Sequence, residues 1–223
     1  MTNILIIGGH GKVGLLAAPK LVKDGFEVTS LIRNPDQTAE IESLGASALV
    51  KDVTALTPAQ WDDVLAGFDV VVWTAGNGGR AGQDVTYAVD RDAALAVIDS
   101  LERLRDSGDA GTTPRYINVS YAGARNHTVP ESDDFFAYAD SKKTVDDRLV
   151  ATEGLDYVIL GPAALTEEPA GGFAPVTADL DRADSHTARE LVADAVVEFA
   201  GRDTVSGQRT VEFVDGERPV SEL

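Results

Sequence analysis

The chain has 223 residues, 43% of them hydrophobic, and 37 acidic against 19 basic residues give a net charge of −18; cysteine is absent. That size and apolar share set the expectation of one globular domain over residues 1–223. The charge argues against nucleic acid or an anionic membrane as partner, and the lack of cysteine excludes disulfides, thiolate metal sites and a cysteine nucleophile. No apolar stretch approaches the ~18 residues of a membrane span, and the start lacks a secretory pattern, so the expected compartment is the cytoplasm. Many aspartates beside six lysines fit solvated helix faces, and also adaptation to high salt.

Residues 4–7, ILII, form an apolar run without alternation, as in a strand buried on both faces of a parallel sheet. Gly8, Gly11 and Gly14 follow at GxxGxxG spacing, with Gly9 beside them. Such residues let the main chain turn sharply, let a pyrophosphate reach the amides and let a helix pack close to the strand. The helix N-terminus then favours an anion. A glycine turn that binds nothing is the competing reading; the place directly after a first strand, with a βαβ continuation, favours a dinucleotide site. Gly8, Gly11, Lys12, Val13 and Gly14 are its candidate contacts.

The first helix should close near Asp24-Gly25, bent or loosened at Pro19. A second strand, 26–32, ends at Arg33-Asn34-Pro35. An acid there would accept from the ribose hydroxyls of NAD, whereas an arginine pairs with the 2′-phosphate of NADP, so NADPH is the expected cofactor in preference to NADH. A helix over 36–44 and a third strand over 46–51 lead to Asp52-Val53, where the carboxylate either accepts from the adenine amino group or caps the next turn. Thr57-Pro58 opens a helix, and a fourth strand over 68–73 runs into Thr74-Ala75-Gly76-Asn77, a small-residue turn over which a cofactor can pass. Residues 80–85 read as a mobile substrate loop.

Helical spacing covers 89–105, a fifth strand 115–119 ends at Ser120, and a helix spans 138–151. A sixth strand, 157–160, is broken by Gly161-Pro162, which with the other strand ends borders the expected cofactor crevice. Segments of about 121–137 and 163–183 should cover a substrate. Thr187 and Glu190 form a candidate capping box for a last helix, and 208–214 a final strand. Alternating strands and helices imply a doubly wound, mainly parallel α/β sheet with its crevice at the strand carboxyl ends.

Tyr138 and Lys142, four apart, share a helix face; an ammonium beside a phenol favours the phenolate and would tune Tyr138 for proton transfer. Ser120 can hold a substrate carbonyl. A tyrosine stacked beside the cofactor without a chemical role is the alternative. His10, His127 and His186 show no ligand spacing, so no metal is expected; His10 either touches the cofactor or points to solvent, and His127 is a secondary candidate proton donor.

GGHGKVG, RNP, KDV, WTAG, NVS, YADSK and LGPAALTEEP together resemble the short-chain dehydrogenase/reductase superfamily over nearly the whole chain, and more narrowly its small atypical branch, similar to biliverdin reductase B and flavin reductase. The resemblance implies an NADP-binding Rossmann domain in which Gly8, Gly11 and Gly14 take the pyrophosphate, Arg33 the 2′-phosphate and Asp52 the adenine, with Ser120, Tyr138 and Lys142 in the catalytic trio. Tyr121 stands where a second serine is common, and Leu160-Gly161-Pro162 where relatives often carry arginine, proline and glycine. The expected activity is NADPH-dependent reduction of a small carbonyl, quinone or flavin-like acceptor. A non-catalytic NADP(H) sensor is the alternative, and a nucleotide-sugar epimerase or dehydratase is disfavoured by length. No pattern bears on oligomeric state.

Overall fold

The apolar run near the start forms β1 (Asn3–Ile7), whose residues 4–7 are fully buried. The computed structural model describes residues 1–76, 78–107, 113–177, 185–205 and 209–223. Asn77, the end of the 163–183 segment and Gln208 lie outside them.

After β1 come α1 (Lys12–Lys23), β2 (Glu27–Ile32), α2 (Thr38–Ser43), β3 (Ser47–Val50), α3 (Pro58–Leu65) and β4 (Val70–Trp73). Next are α4 (Gln83–Thr86), a π-helical stretch (Tyr87–Ala93), α5 (Ala94–Ser107), β5 (Arg115–Val119), α6 (Phe136–Ala151) and β6 (Tyr157–Pro162). The rest is β7 (Ala164–Thr166), β8 (Gly172–Pro175), β9 (His186–Ala188), α7 (Arg189–Gly201) and β10 (Thr210–Gly216). One sheet runs β3-β2-β1-β4-β5-β6-β10-β8, parallel except for β8 against β10, while β7 and β9 pair separately. This is the doubly wound α/β architecture expected. The order reverses beside β1, and Ile7 pairs with both Leu31 and Trp73, so three strands end in line at the crevice.

Unbroken hydrophobicity in the strands has a direct cause. Ile4, Ile6 and Val72 face a core shared with α1 and α7, while Leu5, Ile7, Val71 and Trp73 face Trp61, Leu65, Val97, Leu101 and Leu149 of α3, α5 and α6. Each such fully buried aliphatic side chain contributes roughly 1.5–3 kcal/mol. Thr57 and Gln60 make the reciprocal capping box that starts α3. α1 continues through Pro19 and stops at Asp24, followed by Gly25 at φ +89°.

Several expectations are corrected. Gly161 and Pro162 do not break β6: they pair with Glu212 and Phe213 of β10, and the Pro162 carbonyl accepts from Ala122 N–H. Within the expected cover segment, residues 164–166 and 172–175 form β7 and β8. Residues 83–85 belong to α4, so the predicted loop is short, and the helical run begins six residues before 89 with a π-helical offset. Thr187 caps nothing: it is buried in β9, accepting from Ala163 N–H and donating to the Phe213 carbonyl, while Glu190 pairs with Lys20.

Arg115, 7% exposed at the start of β5, donates to the carbonyls of Phe199, Arg202 and Asp203 and pairs with Asp156. It joins the end of α7 to the sheet on the rim opposite the crevice.

Candidate functional site

The glycine turn is shaped by contacts that no side chain fits. Gly8 has φ +90°, and a Cβ there would lie 2.6 Å from Ala75 N; at Gly14 it would lie 2.8 Å from the Gly8 and Gly9 carbonyl oxygens. Gly14 therefore serves close helix packing behind the turn, while Gly8 and Gly11 line the crevice. Gly11 is the N-cap of α1, with no side-chain cap and no acid in the first turn, which leaves amides and a positive dipole end for an anion. Lys12 and Val13 border the same space, and Lys12 and Arg189 both hold Glu167, at 2.6 and 2.9 Å.

Three adjoining cavities form one groove. The first, about 410 Å³, is lined by His10, Arg33, Lys51, Asp52 and Val53 among others. Arg33 is exposed at the end of β2. Asp52 caps the next turn, accepting from the Thr54 amide and hydroxyl at 2.9 and 2.7 Å, and these bonds hold its carboxyl below the usual range. Its placement in the cavity leaves the adenine contact open as well. His10 meets Glu40 at 2.7 Å.

The second cavity, about 380 Å³, joins the first through Gly11, Ala75, Gly76 and Asp90, and adds Thr74, Ser120, Tyr138 and Lys142. A Cβ on Gly76 would lie 2.2 Å from Asp90 Oδ1. Asp90 is 1% exposed, neither of its oxygens accepts a hydrogen bond among the described residues, and the Lys142 ammonium stands 3.8 Å away. Burial raises the Asp90 carboxyl, against the pull of Lys142. Lys142 donates to the Val119 carbonyl at 3.1 Å.

The third cavity, about 500 Å³, shares Ser120, Tyr138, Arg80 and Arg189 with the second and is walled by Tyr121, Phe135, Leu165, Val176 and Val214. Pro162 lines this outer cavity, and Gly161 packs against Glu212 and Tyr121. His127 accepts from Val129 N–H and packs edge-on against Phe136, outside the lining of all three cavities.

The trio meets as its spacing requires, with different electrostatics. Lys142 Nζ sits 5.6 Å from the centre of the Tyr138 ring, yet burial, then Asp90 and Asp146, push the phenol well above its ordinary range. Burial and these carboxylates work against the lowering expected from the ammonium. Ser120 donates to Asp146 Oδ2 at 2.5 Å, and Asn118 Nδ2 to Asp146 Oδ1 at 2.8 Å. Sequence reasoning missed Asp146, Asp90 and Arg189. For Asp146 a signal existed: Tyr138, Lys142 and Asp146 stand at i, i+4 and i+8 on one face of α6.

The glycine cradle and the uncapped helix N-terminus fit an anionic dinucleotide. A family model described as NAD(P)H-binding matches residues 8–203. The chain belongs to the NAD(P)H-binding family. The matched region includes every residue that lines the first two cavities. Among similar proteins, the one named uncharacterized sugar epimerase YhfK of Bacillus subtilis is 27% identical over 99% of this chain and 97% of its own. UPF0659 protein C216.03 of Schizosaccharomyces pombe is 29% identical over 99% and 92%. A solved structure from Bacillus halodurans, given the provisional name NAD-dependent epimerase/dehydratase, superposes with a TM-score of 0.82 at 26% identity, covering 100% of this chain and 98% of the other. Family membership places the chain in the broad oxidoreductase and epimerase superfamily. Among the described residues no helix is long and apolar enough to cross a membrane, and no group of His, Asp and Glu is placed to hold a metal ion.

Proposed function

We propose that the protein is a cytoplasmic NADPH-dependent oxidoreductase of the atypical short-chain dehydrogenase/reductase branch, reducing a small carbonyl, quinone or flavin-like acceptor. The observation that carries this reading is continuity: Ser120 and Tyr138 line both the middle compartment and the outer, largely apolar cavity. NADPH, when bound, supplies the hydride. Gly8, Gly11, Lys12 and Val13 would hold its diphosphate, Thr74, Ala75 and Gly76 the passage over β4, and Lys142 the ribose beside the nicotinamide. Arg33 would pair with the 2′-phosphate, and no carboxylate occupies that position at the end of β2 to favour NAD.

In the outer cavity Ser120 orients the acceptor oxygen, and Tyr138, kept neutral by its surroundings, gives that oxygen a proton as charge develops. The aromatic walls, with Tyr121 and Tyr138 stacked at 5.8 Å, suit a flat conjugated acceptor. Segments 121–137 and 163–177 would cover it. The names of the Bacillus relatives favour a second reading, epimerisation, in which the oxidised dinucleotide would take a hydride from the substrate and return it, with no net change in the coenzyme.

A panel of quinones, flavins and conjugated carbonyls, followed by the loss of NADPH absorbance, separates these. Turnover with at least one acceptor is expected, and Tyr138→Phe should retain NADPH binding while slowing carbonyl reduction about 10²–10⁴-fold. Unchanged carbonyl turnover would remove the tyrosine from the chemistry. Bound NADPH that no acceptor oxidises would leave the sensor reading or, with sugar-nucleotide isomerisation, the epimerase.

A further inference from the structure

Ser120 is asked to donate a hydrogen bond to an acceptor oxygen, yet its single hydroxyl hydrogen already has a partner. The Oγ lies 2.5 Å from Asp146 Oδ2, in a pocket where Ser120 is 4% and Asp146 2% exposed. Asn118 donates its amide to the other carboxylate oxygen, fixing the plane of the group. An ionised carboxylate can only accept, so the serine hydrogen must point at it and the cavity sees lone pairs alone. A neutral carboxyl reverses the bond: its own O–H donates to Oγ, and the serine hydrogen is released toward the cavity.

We propose that Asp146 is a positioning residue whose protonation state sets the direction of the Ser120 hydroxyl, so that Ser120 presents a donor to the acceptor only when Asp146 is neutral. This rests on the reductase reading of the same site. The groups that face Asp146 are Asn118 and Tyr116 from β5, Ser120 just after it, Tyr138, Lys142 and Asp147 from α6, and Arg125 from the turn after β5. Burial outweighs the opposing pull of Ser120, Lys142 and Arg125 and raises the carboxyl to about 7. The reversal therefore falls within the working range of a cytoplasmic enzyme. Asp146 makes no contact with the cavity itself and acts through Ser120.

Two measurements test it. With the holoenzyme, kcat/KM for a carbonyl acceptor should fall about tenfold from pH 6 to pH 8 as the carboxyl ionises. In Asp146→Asn, whose amide donates to Oγ as the neutral acid does, that descending limb should vanish with activity retained at pH 8; in Ser120→Ala it should also vanish, at a lower plateau. A limb that persists in either variant overturns the proposal. The second measurement needs no turnover: a 13C carboxyl titration of Asp146 in the NADPH-bound protein should show a midpoint near neutrality, shifted upward in Ser120→Ala, which removes a donor to the anion. A midpoint in the ordinary carboxylate range, or one unmoved by the serine change, overturns it whether or not Asp146→Asn folds. Absence of reduction with every acceptor would sink the reductase reading, while the titration still reads the coupling.

Discussion

Replacing Gly14 by alanine isolates the close approach between α1 and the glycine turn. Inside a helix this exchange ordinarily gains about 1 kcal/mol, because glycine has the larger conformational entropy to lose. At Gly14 the new methyl carbon would lie 2.8 Å from two carbonyl oxygens and 3.0 Å from the Gly9 carbonyl carbon, all backbone atoms of the turn. Overpacking of this kind costs about 1–3 kcal/mol, so the net effect is a loss of up to about 2 kcal/mol. For a domain of this size that lowers Tm by a few degrees, at roughly 2–4 °C per kcal/mol. The turn must move outward to relieve the contact, so NADPH affinity should fall as well. Gly201, also helical, is the control: its new methyl would meet only Phe26 Cζ at 3.8 Å, and Gly201→Ala should hold or raise Tm with unchanged binding. Thermal unfolding by circular dichroism and NADPH fluorescence titration read both effects. A Gly14→Ala protein that is more stable than the parent and binds NADPH equally well would refute the packing argument.

Arg33→Ala should weaken NADPH about tenfold or more while leaving NADH nearly unchanged, since only NADPH offers the phosphate that the guanidinium would pair with; calorimetric titration with both decides. Asp146→Asn should gain stability over the parent as pH rises. The folded-state carboxyl, raised to about 7, holds a proton that the unfolded chain releases near 4, so its contribution is complete below that value and is lost as pH rises through 7. Melting curves from pH 5 to 8 should therefore diverge in favour of the variant. With a net charge of −18, the protein should also melt higher in molar potassium chloride than in dilute buffer, because screening relieves self-repulsion; equal melting points would count against the high-salt reading.

The parts of the architecture visible in the chain were those signalled locally. Residues 4–7 and the glycines after them announce strand, turn and helix in eleven positions, and Thr57-Pro58 announces the start of α3. What escaped depends on distant partners. Gly161 and Pro162 are poor strand residues, yet β10 brings them into register, and β7 and β8 are three and four residues long, too short to show alternation. The π-helical stretch shifts the apolar spacing, which hid the start of the helical run and left Asp90 unnoticed. In the site, Tyr138 and Lys142 were legible from their spacing. Asp146 was not joined to Ser120 because β5 and α6 meet only in the folded chain, 26 positions apart.

Arg115 divides the molecule by task. A guanidinium hidden at the foot of the sheet, clasping carbonyls at and just past the end of α7, anchors the rim opposite the groove. Mutational wear at that foot should shorten the lifetime of the protein and leave its specificity alone, whereas loops at the opposite end can be exchanged freely while the anchor stays fast. A scaffold partitioned in this way can vary the lining of its groove without renegotiating how it folds.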